Sequence, residues 1–345
     1  MRRPLSAFLA LLVLAGAIAL GLTWREVARF RETPYGGPEE KVVVVPTGAS
    51  ARAVVRLLAQ AGVLSQERSA WLYVRYVRRD ARAFRAGEYS FSGPLLPDQA
   101  LERVLRGEVK LYRLTVPEGL RADEIAELVG RTGLVRAEDF LAVTRDAAVA
   151  GELGLPYPSL EGFLFPDTYA VSRGISARAL AELMVSRFKE EYAKANAARI
   201  PAVTLDMGQV ATLASIVEKE TGLPAERPRI ACVFFNRLRD GMRLQTDPTV
   251  MYATMLRTGR WSKNISRADL LAPHPYNTYT TGGLPPGPIA NAGAAALQAT
   301  LSPDSCPDLY FVSRNDGSHQ FCPDLRCHSA AVKTWQVDYF RHAPR

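Results

Sequence analysis

The sequence of 345 residues contains few cysteines, only four, and no more than four histidines. Four cysteines are too few for a scaffold in which disulfides replace a hydrophobic core. Hydrophobic residues make up 48% of the chain and charged residues 23%, which excludes wholesale disorder. Acidic residues are outnumbered by basic ones, and the formal net charge of +8 favours acidic partners such as anionic lipid, nucleic acid or acidic wall polymers. The composition defines a globular class but no function.

Long hydrophobic runs are also missing, with one exception at the N-terminus. Residues 5–24 carry no charge, and at about 1.5 Å per residue they cover a hydrocarbon core of roughly 30 Å. A cleaved signal peptide is the competing interpretation, with Ala15-Gly16-Ala17 as its cleavage site. The run exceeds the signal core of about 7–15 residues and ends in Trp24, a residue type enriched at membrane interfaces. We therefore predict that residues 1–24 form a cytoplasmic tip and a single transmembrane anchor, with the rest exported.

A repeat with a spacing of 71 positions follows a predicted linker at residues 25–40. Val45-Pro46-Thr47-Gly48 recurs as Val116-Pro117-Glu118-Gly119, and the apolar residues after each string also match. Each copy is typical of a strand, a Pro-x-Gly turn and an amphipathic helix that ends at glycine. Two copies are fewer than a solenoid needs. We predict two small αβ modules at residues 41–112 and 113–158, which resemble LysM-like peptidoglycan-binding units; generic spacer units are the alternative.

Residues 159–345 differ in local composition from the residues before them and contain dense strings of glycine, proline, aromatic and polar residues. Residues that cap or break helices predict helices at residues 176–198, 207–221, 228–241, 247–259 and 329–341. Asn315-Asp316-Gly317 predicts a hairpin, whereas residues 276–291 contain too much glycine and proline to be regular. Helices and short strands do not alternate regularly, so the predicted fold class is α+β.

The helix predicted at residues 207–221 carries two carboxyl groups near its end. On a wheel of ~100° per residue, Val210, Leu213, Ala214 and Val217 share the buried face. Glu218 lies at one edge of that face and Glu220 near the other edge, so the two diverge by ~160°. A carboxyl at such an edge is partly desolvated, which raises its pKa and suits a general acid. The alternative is a solvated, charged helix terminus, as most Glu-Lys-Glu strings are.

Polar and aromatic loops follow this helix and are of the kind that lines sugar-binding grooves. They supply Gln245 and Asp247 in one string and Asn277 and Tyr279 in another. With the strings at residues 214–221 and 235–238, the latter containing Asn236, their order and spacing resemble the YceG-like family of endolytic murein transglycosylases over roughly residues 159–342. The N-terminal anchor and the LysM-like region fit that family's layout.

The resemblance implies a function and a catalytic residue. It assigns the acid to Glu218, and it implies cleavage of the MurNAc–GlcNAc bond of nascent peptidoglycan strands to leave a 1,6-anhydro-MurNAc end. We expect Gln245, Asp247, Asn277, Tyr279, Glu220 and Asn236 to bind the glycan. We also expect no cofactor or metal, no nucleic-acid partner, and a domain on the periplasmic face of a bacterial inner membrane, with peptidoglycan synthases as possible partners.

Two other functions remain open at this point. A muramidase-type hydrolase acts on the same substrate but needs a second carboxylate, for which Asp247 and Glu161 are the candidates. A non-catalytic peptidoglycan-binding scaffold would use the Glu-Lys-Glu string only structurally. The mass of the product separates the first alternative, because hydrolysis adds a water that an anhydro end lacks.

The cysteines favour one disulfide in an exported protein. Cys322 and Cys327 are the first choice of pair, and Cys306 with either of them is the second. Cys232 lies among apolar residues and is expected to be a buried free thiol. A zinc site that includes His319 and His328 is conceivable, but the spacing matches no standard pattern.

Overall fold

The computed structural model describes residues 3–79 and 84–342, with side chains from Phe8. The termini of the predicted anchor and catalytic domain, residues 1–2 and 343–345, lie outside the described residues. The chain divides into two compact units. The first comprises residues up to Tyr112 together with Ala170–Gly174, and the second comprises Arg113–Tyr169 and the residues from Ile175 onwards. Residues 113–158, predicted as a separate module, thus belong to the second unit.

The first unit begins with helix α1. It contains α1 (Arg3–Glu32), β1 (Lys41–Val45), α2 (Ala51–Gln60), α3 (Glu67–Leu72), which continues as a π-helical turn at Tyr73–Arg78, β2 (Gly87–Phe91) and α4 (Pro97–Arg106). Strands β1 and β2 are antiparallel, with Lys41 opposite Phe91 and Val45 opposite Gly87. In β1, Val43 and Val45 are buried while Val42 and Val44 are exposed, as alternation along a strand requires.

Helix α1 is longer than the predicted anchor and extends about two turns past Trp24 into the predicted linker. Val27 and Phe30 in this extension are buried in the core of the first unit with residues of α2, β1 and β2. Within the described residues, one helix, Phe8–Glu32, is long and apolar enough to cross a membrane by length and composition. The helix continues because two of its apolar residues find partners in the folded unit.

The second unit is built around a buried helix. Its elements are β3 (Leu111–Thr115), α5 (Ala122–Thr132), α6 (Ala137–Thr144), α7 (Ala147–Glu152), β4 (Thr168–Ser172), α8 (Ala177–Ala197), α9 (Met207–Glu220), α10 (Arg227–Arg239), α11 (Asp247–Thr258), α12 (Arg267–Leu271), α13 (Ala294–Leu301), β5 (Tyr310–Ser313), β6 (His319–Cys322), α14 (Leu325–Val332) and α15 (Tyr339–His342). Strands β3 and β4 pair with each other, and residues 111–112 of β3 and 170–172 of β4 are counted in the first unit. A π-helical segment, Lys333–Asp338, joins α14 to α15. The mixture of helices and short paired strands is α+β, as predicted.

Helix α9 is more deeply buried than its amphipathic pattern predicts. Every residue from 210 to 217 is buried, not only one face, because α9 packs against α10, α11 and α13. Asp206 caps its N-terminus by accepting a hydrogen bond from the Gln209 N–H, and the Gln209 side chain binds the Asp206 N–H in return. The core around residues 210–217 therefore fixes the position of the last turn of α9.

The two copies of the repeat have the same backbone. Gly48 and Gly119 adopt φ of +77° and +75°, and the glycines that close the two helices, Gly62 and Gly133, both adopt φ of +68°. A residue with a side chain is strained in this left-handed region, which explains glycine at both positions. Strand, turn and helix are thus present in each copy, as the sequence predicts.

The disulfides agree only in part with the sequence-based prediction. Cys322 and Cys327 are bonded, as expected. The prediction that Cys232 is a free thiol is wrong, because Cys232 in α10 is bonded to Cys306, 74 positions away. Apolar neighbours correctly indicated that Cys232 is buried, but they carry no information on which loop crosses the helix. The loop containing Cys306 does so, and Asn236 of the same helix donates a hydrogen bond to the Cys306 carbonyl.

The separation of the bonded cysteines predicts their contributions to stability. A disulfide lowers the entropy of the unfolded chain more when it closes a longer loop. Replacing Cys232 and Cys306 by alanine should lower the free energy of unfolding by about 4 kcal/mol, against about 2 kcal/mol for Cys322 and Cys327. Urea unfolding of the two double variants measures this difference, and an equal or larger loss in the second variant would contradict the prediction.

Candidate active site

The carboxyl group of Glu218 is enclosed at the end of α9 and bound on both oxygens. Its Oε1 accepts a hydrogen bond from Arg227 Nη2 at 2.7 Å, and its Oε2 accepts one from the Gly293 N–H at 3.1 Å. The side chain of Glu218 is only 6% exposed and that of Arg227 only 8%. Both groups are therefore largely removed from water, so an ionised Glu218 depends on Arg227 for compensation.

The protonation of Glu218 is set by opposing effects. Burial raises its pKa above the ordinary value for glutamate, and the negative charge of Glu118 adds to the rise. The hydrogen bond from Gly293 and the charge of Arg227 act in the other direction without cancelling it. A raised pKa favours the protonated carboxyl that a general acid requires.

Asn291 fixes the segment that carries Gly293. Its amide Nδ2 donates to the Leu120 carbonyl at 2.9 Å and to Glu161 Oε1 at 3.0 Å, while its Oδ1 accepts from the Leu164 N–H. Asn291 is fully buried. One side chain thus joins the turn before α5, the loop at residues 161–164 and the start of α13.

Glu161, one candidate for a second carboxylate, belongs to this cluster. Both of its oxygens lie 3.1 Å from the Ala122 N–H at the start of α5, and one also binds Asn291. Burial raises the pKa of Glu161 to about 7. Its partners are Ala122 and Asn291, not Glu218, so it stabilises the scaffold around the site.

A cavity of about 400 Å³ lies beside the other edge of α9. Glu220, Gln245, Asp247 and Tyr279, four of the residues that the sequence predicts to bind glycan, line it together. Glu218 is not among its lining residues. The other lining residues are Arg237, Leu244, Tyr310, Phe311, Leu325 and His328. Aromatic rings combined with carboxyl, amide and hydroxyl groups give the cavity the chemistry of a carbohydrate site.

Hydrogen bonds between two loops shape this cavity. The Tyr279 hydroxyl donates to Asp247 Oδ1 at 2.6 Å. The hydroxyls of Thr249 and Thr278 lie 2.8 Å apart, and the Thr246 N–H donates to the Thr278 hydroxyl. Gln245 adopts φ of +49°, a left-handed conformation that is unfavourable for a residue with a side chain. The pairing of the two loops, which includes a hydrogen bond from the Gln245 N–H to the Thr278 carbonyl, holds this backbone conformation, and the Gln245 side chain is exposed.

Glu220 differs in environment from Glu218 although both lie on the last turn of α9. Burial raises the pKa of Glu220 to about 7, and the nearby Asp247 carboxylate adds to the rise. Arg237 opposes it, although the Arg237 guanidinium itself donates to the carbonyls of Leu244 and Leu309. Glu218 and Glu220 have no partner in common, which is the divergence that the helical wheel predicts.

Asn277 and Asn236, which the sequence predicts to bind glycan, donate hydrogen bonds to backbone carbonyls of the protein itself. Asn277 is 1% exposed, and its Nδ2 lies 2.8–3.1 Å from the carbonyls of Asp269, Leu270 and Ala272 at the end of α12. Asn236 donates to the carbonyls of Cys306 and Asp308. Both amide nitrogens are therefore bound to backbone carbonyls of the protein, and glycan binding by these two residues stays a prediction.

Several residues at the site were not found by sequence reasoning. They are Arg227, Gly293, Asn291 and Glu118. Lys219, the residue after Glu218, is exposed, and its Nζ donates to the Gly119 carbonyl at 3.0 Å. Only Glu118 had a visible signal, since it occupies the variable position of the repeated Pro-x-Gly turn. In the described part of the chain, no group of three or more His, Cys, Asp or Glu residues is arranged to hold a metal ion.

Known proteins are similar to this chain in both sequence and fold. A Bacillus subtilis endolytic murein transglycosylase is 30% identical over 308 residues, which cover 84% of this chain and 83% of that protein. A Streptococcus pneumoniae protein of the same name is 28% identical over 81% of this chain and 56% of its own longer sequence. The crystal structure of a yceG-like protein from Listeria monocytogenes matches 86% of this chain and 100% of its own, with a TM-score of 0.57 and 30% identity.

The family assignment depends on most of the chain and not on one motif. Residues 43–334 match the YceG-like family. This range contains the repeated turns, helix α9 with both glutamates, the loops that form the cavity, and the segment with Asn291 and Gly293. The chain belongs to the YceG-like family.

Proposed function

We propose that this chain is a membrane-anchored endolytic transglycosylase that cleaves the MurNAc–GlcNAc bond of nascent peptidoglycan strands and leaves a 1,6-anhydro-MurNAc end. The names of the relatives support the reaction class and the substrate. The observation on which the proposal chiefly depends is Glu218, an enclosed carboxyl with a raised pKa that is bound by Arg227 and Gly293.

One carboxyl group is sufficient for this reaction. Protonated Glu218 donates its proton to the glycosidic oxygen, and the bond from that oxygen to C1 of MurNAc breaks. The C6 hydroxyl of the same MurNAc then forms a bond to C1, and the Glu218 carboxylate accepts its proton. The enzyme returns to its first state and no water is consumed. Between these steps Glu218 is an anion, which the Arg227 guanidinium and the Gly293 N–H stabilise.

The cavity beside Glu220 is proposed to bind the glycan. Gln245 presents an exposed amide, the bonded pair of Tyr279 and Asp247 offers oxygen atoms to sugar hydroxyls, and Tyr310 adds an aromatic face. Burial keeps the pKa of the Tyr279 hydroxyl well above its usual range, and its single proton is donated to Asp247. Glu220, with a pKa of about 7, is the competing candidate for the acid because it lines the cavity.

We also propose where the parts of the chain lie relative to the membrane. Residues 1–24 provide a short cytoplasmic tip and the single transmembrane anchor, which is part of helix α1. The catalytic domain at residues 159–345 lies on the periplasmic face of the inner membrane. The modules at residues 41–112 and 113–158 are proposed as LysM-like glycan-binding units. Peptidoglycan synthases are the proposed protein partners, since they produce the strands that this enzyme would cut near the membrane.

Glutamine substitutions at the two glutamates test the assignment of the acid. Glu218→Gln keeps the shape but cannot donate a proton, so cleavage should fall below about a hundredth of the wild-type rate. Glu220→Gln should retain at least about a tenth, because Glu220 binds the glycan without transferring a proton. Both rates are measured on isolated glycan strands, with melting temperature as the control for folding. The reverse order would transfer the acid role to Glu220.

Mass spectrometry of the wild-type products separates this function from its alternatives. Anhydro ends are lighter by one water than hydrolysed ends. Products with an added water would identify a hydrolase that uses a second carboxylate. Intact strands after long incubation with correctly folded protein would support a binding scaffold.

Tyr279 and Asn277 should differ in what their substitution changes. Tyr279→Phe removes only a hydroxyl, so catalytic efficiency should fall by about 1 kcal/mol, or roughly fivefold, with an unchanged melting temperature. Asn277→Ala leaves three carbonyls at the end of α12 without their donor, so it should lower the free energy of unfolding by about 2–3 kcal/mol. Leu213→Ala in the core of α9 provides a reference for stability loss. Equal melting temperatures for wild type and Asn277→Ala would contradict this assignment.

Truncation tests the anchor at two positions. Removing residues 1–24 should give a folded, soluble protein that still cuts isolated strands, because Val27 and Phe30 remain. Removing residues 1–32 deletes both side chains from the core of the first unit and should lower its melting temperature. Sequencing the N-terminus of the cellular protein checks the anchor itself. A mature chain that begins near residue 18 or 20 would identify a cleaved signal peptide.

A further inference from the structure

The turn between β3 and α5 is bound directly to the two segments that enclose Glu218. The Gly119 N–H donates to the Asn291 carbonyl at 2.8 Å, and the Leu120 carbonyl accepts from the Asn291 N–H at 2.8 Å. The Gly119 carbonyl also accepts from Lys219 Nζ, on the residue after Glu218. The turn thus has a fixed position relative to the last turn of α9 and to the start of α13.

Glu118 projects from this turn to the partners of Glu218. Its Oε2 lies 3.6 Å from Arg227 Nη2, the same nitrogen that donates to Glu218 Oε1 at 2.7 Å. The two carboxyl groups therefore share one guanidinium nitrogen. They differ in exposure, since the Glu118 side chain is 48% exposed and that of Glu218 is 6% exposed.

The close approach of the Glu118 carboxyl to Gly293 leaves no room for a side chain on residue 293. A Cβ atom on Gly293 would lie 1.9 Å from Glu118 Oε1, a distance that no side chain can occupy. The φ angle of Gly293 is −81°, which any residue adopts, so the backbone does not require glycine here. Glycine instead permits the Glu118 carboxyl to approach while the Gly293 N–H binds Glu218.

We propose, on the basis of the function proposed above, that Glu118 is a positioning residue that shares Arg227 with Glu218 and thereby keeps Glu218 protonated for proton donation. Arg227 is shared between two carboxyl groups, so it stabilises the ionised form of Glu218 less than it would alone, and the negative charge of Glu118 opposes that form further. The effect of a neighbouring charge is strongest on the carboxyl that is least screened by water. Glu118 is the exposed member of the pair, and Glu218 is the enclosed one.

The other charged groups near Glu218 are few. Arg227 faces it from α10, Glu118 faces it from the turn, and Lys219 is its neighbour on α9. The charged groups that act on the Lys219 amine in turn are Glu124, Arg121 and Lys263. Substitution of Glu118 changes one charge next to Glu218 and leaves these others in place.

The pH dependence of kcat/KM for strand cleavage by the full-length protein tests the proposal. As the acid, Glu218 acts only when protonated, so the rate falls as the pH rises through its pKa. Glu118→Gln removes a negative neighbour and leaves Arg227 to Glu218 alone, and both effects lower the pKa of Glu218. The basic limb of the profile should move to lower pH by about 0.5–1 unit. On the basic limb this lowers the rate at a given pH roughly 3- to 10-fold, while on the acidic side of the pKa the rate should stay within about twofold of wild type.

Two control variants separate this effect from a structural one. Glu118→Asp keeps the charge and should restore the basic limb to within about 0.3 pH unit of wild type. Glu127→Gln removes an exposed carboxylate from α5, the helix after the same turn, and should leave the profile unchanged. Melting temperatures establish that all three variants are folded.

The outcomes distinguish the role of Glu118 from the function of the enzyme. A rate that falls equally at every pH in Glu118→Gln, with the basic limb in its wild-type position, would show that Glu118 only supports the turn. A basic limb that moves upwards would also overturn the proposal. Full activity of Glu218→Gln would instead refute the assignment of the acid, on which the role of Glu118 depends.

Discussion

A buried carboxyl group is the constraint on which the second unit depends. An ionised carboxyl that leaves water must be met by a cation or by several hydrogen-bond donors, or it stays protonated. Whenever Glu218 is ionised, the charge is compensated by Arg227 and the Gly293 N–H, neither of which belongs to its own helix. The core around α9 fixes the carboxyl, the short turn at Pro224–Glu226 returns the chain to Arg227, and Asn291 fixes Gly293. Together these features hold the groups that compensate the charge of an ionised Glu218.

The end of α9 supports two carboxyls with different properties. A helix C-terminus carries a partial negative charge, which disfavours anions in its last turn and thereby favours raised pKa values. Glu218 escapes part of this effect because it faces the N-terminus of α13, where the Gly293 N–H points to it. Glu220 faces the cavity and the Asp247 carboxylate, and the Thr246 side chain lowers its pKa without offsetting the effect of burial, so its pKa rises to about 7. Two glutamates only two residues apart thus differ in how readily they ionise.

The sequence predicts those features that depend on local chemistry. Asp206 begins α9 and Gly259 ends α11, as capping rules require, and Asn315-Asp316-Gly317 joins the strands of a hairpin. The cavity lining was also predicted in part, because Gln245, Asp247 and Tyr279 stand in polar strings. Partners across space were not predictable. Nothing local shows that Cys232 meets Cys306, that α1 continues to pack Phe30, or that Asn277 caps α12. These depend on which loop crosses which helix.

The internal repeat distinguishes what a turn requires from what the site requires. Both copies place glycine in the left-handed region, at Gly48 and Gly119, because the turn cannot form easily otherwise. The position before that glycine is free in the turn itself, and the two copies use it differently, as Thr47 in one and Glu118 in the other. Only the second copy is bound to Asn291 and lies against Arg227. Since the same turn forms with threonine, the carboxyl of Glu118 is not needed for folding the turn, and its explanation must come from the charges beside it.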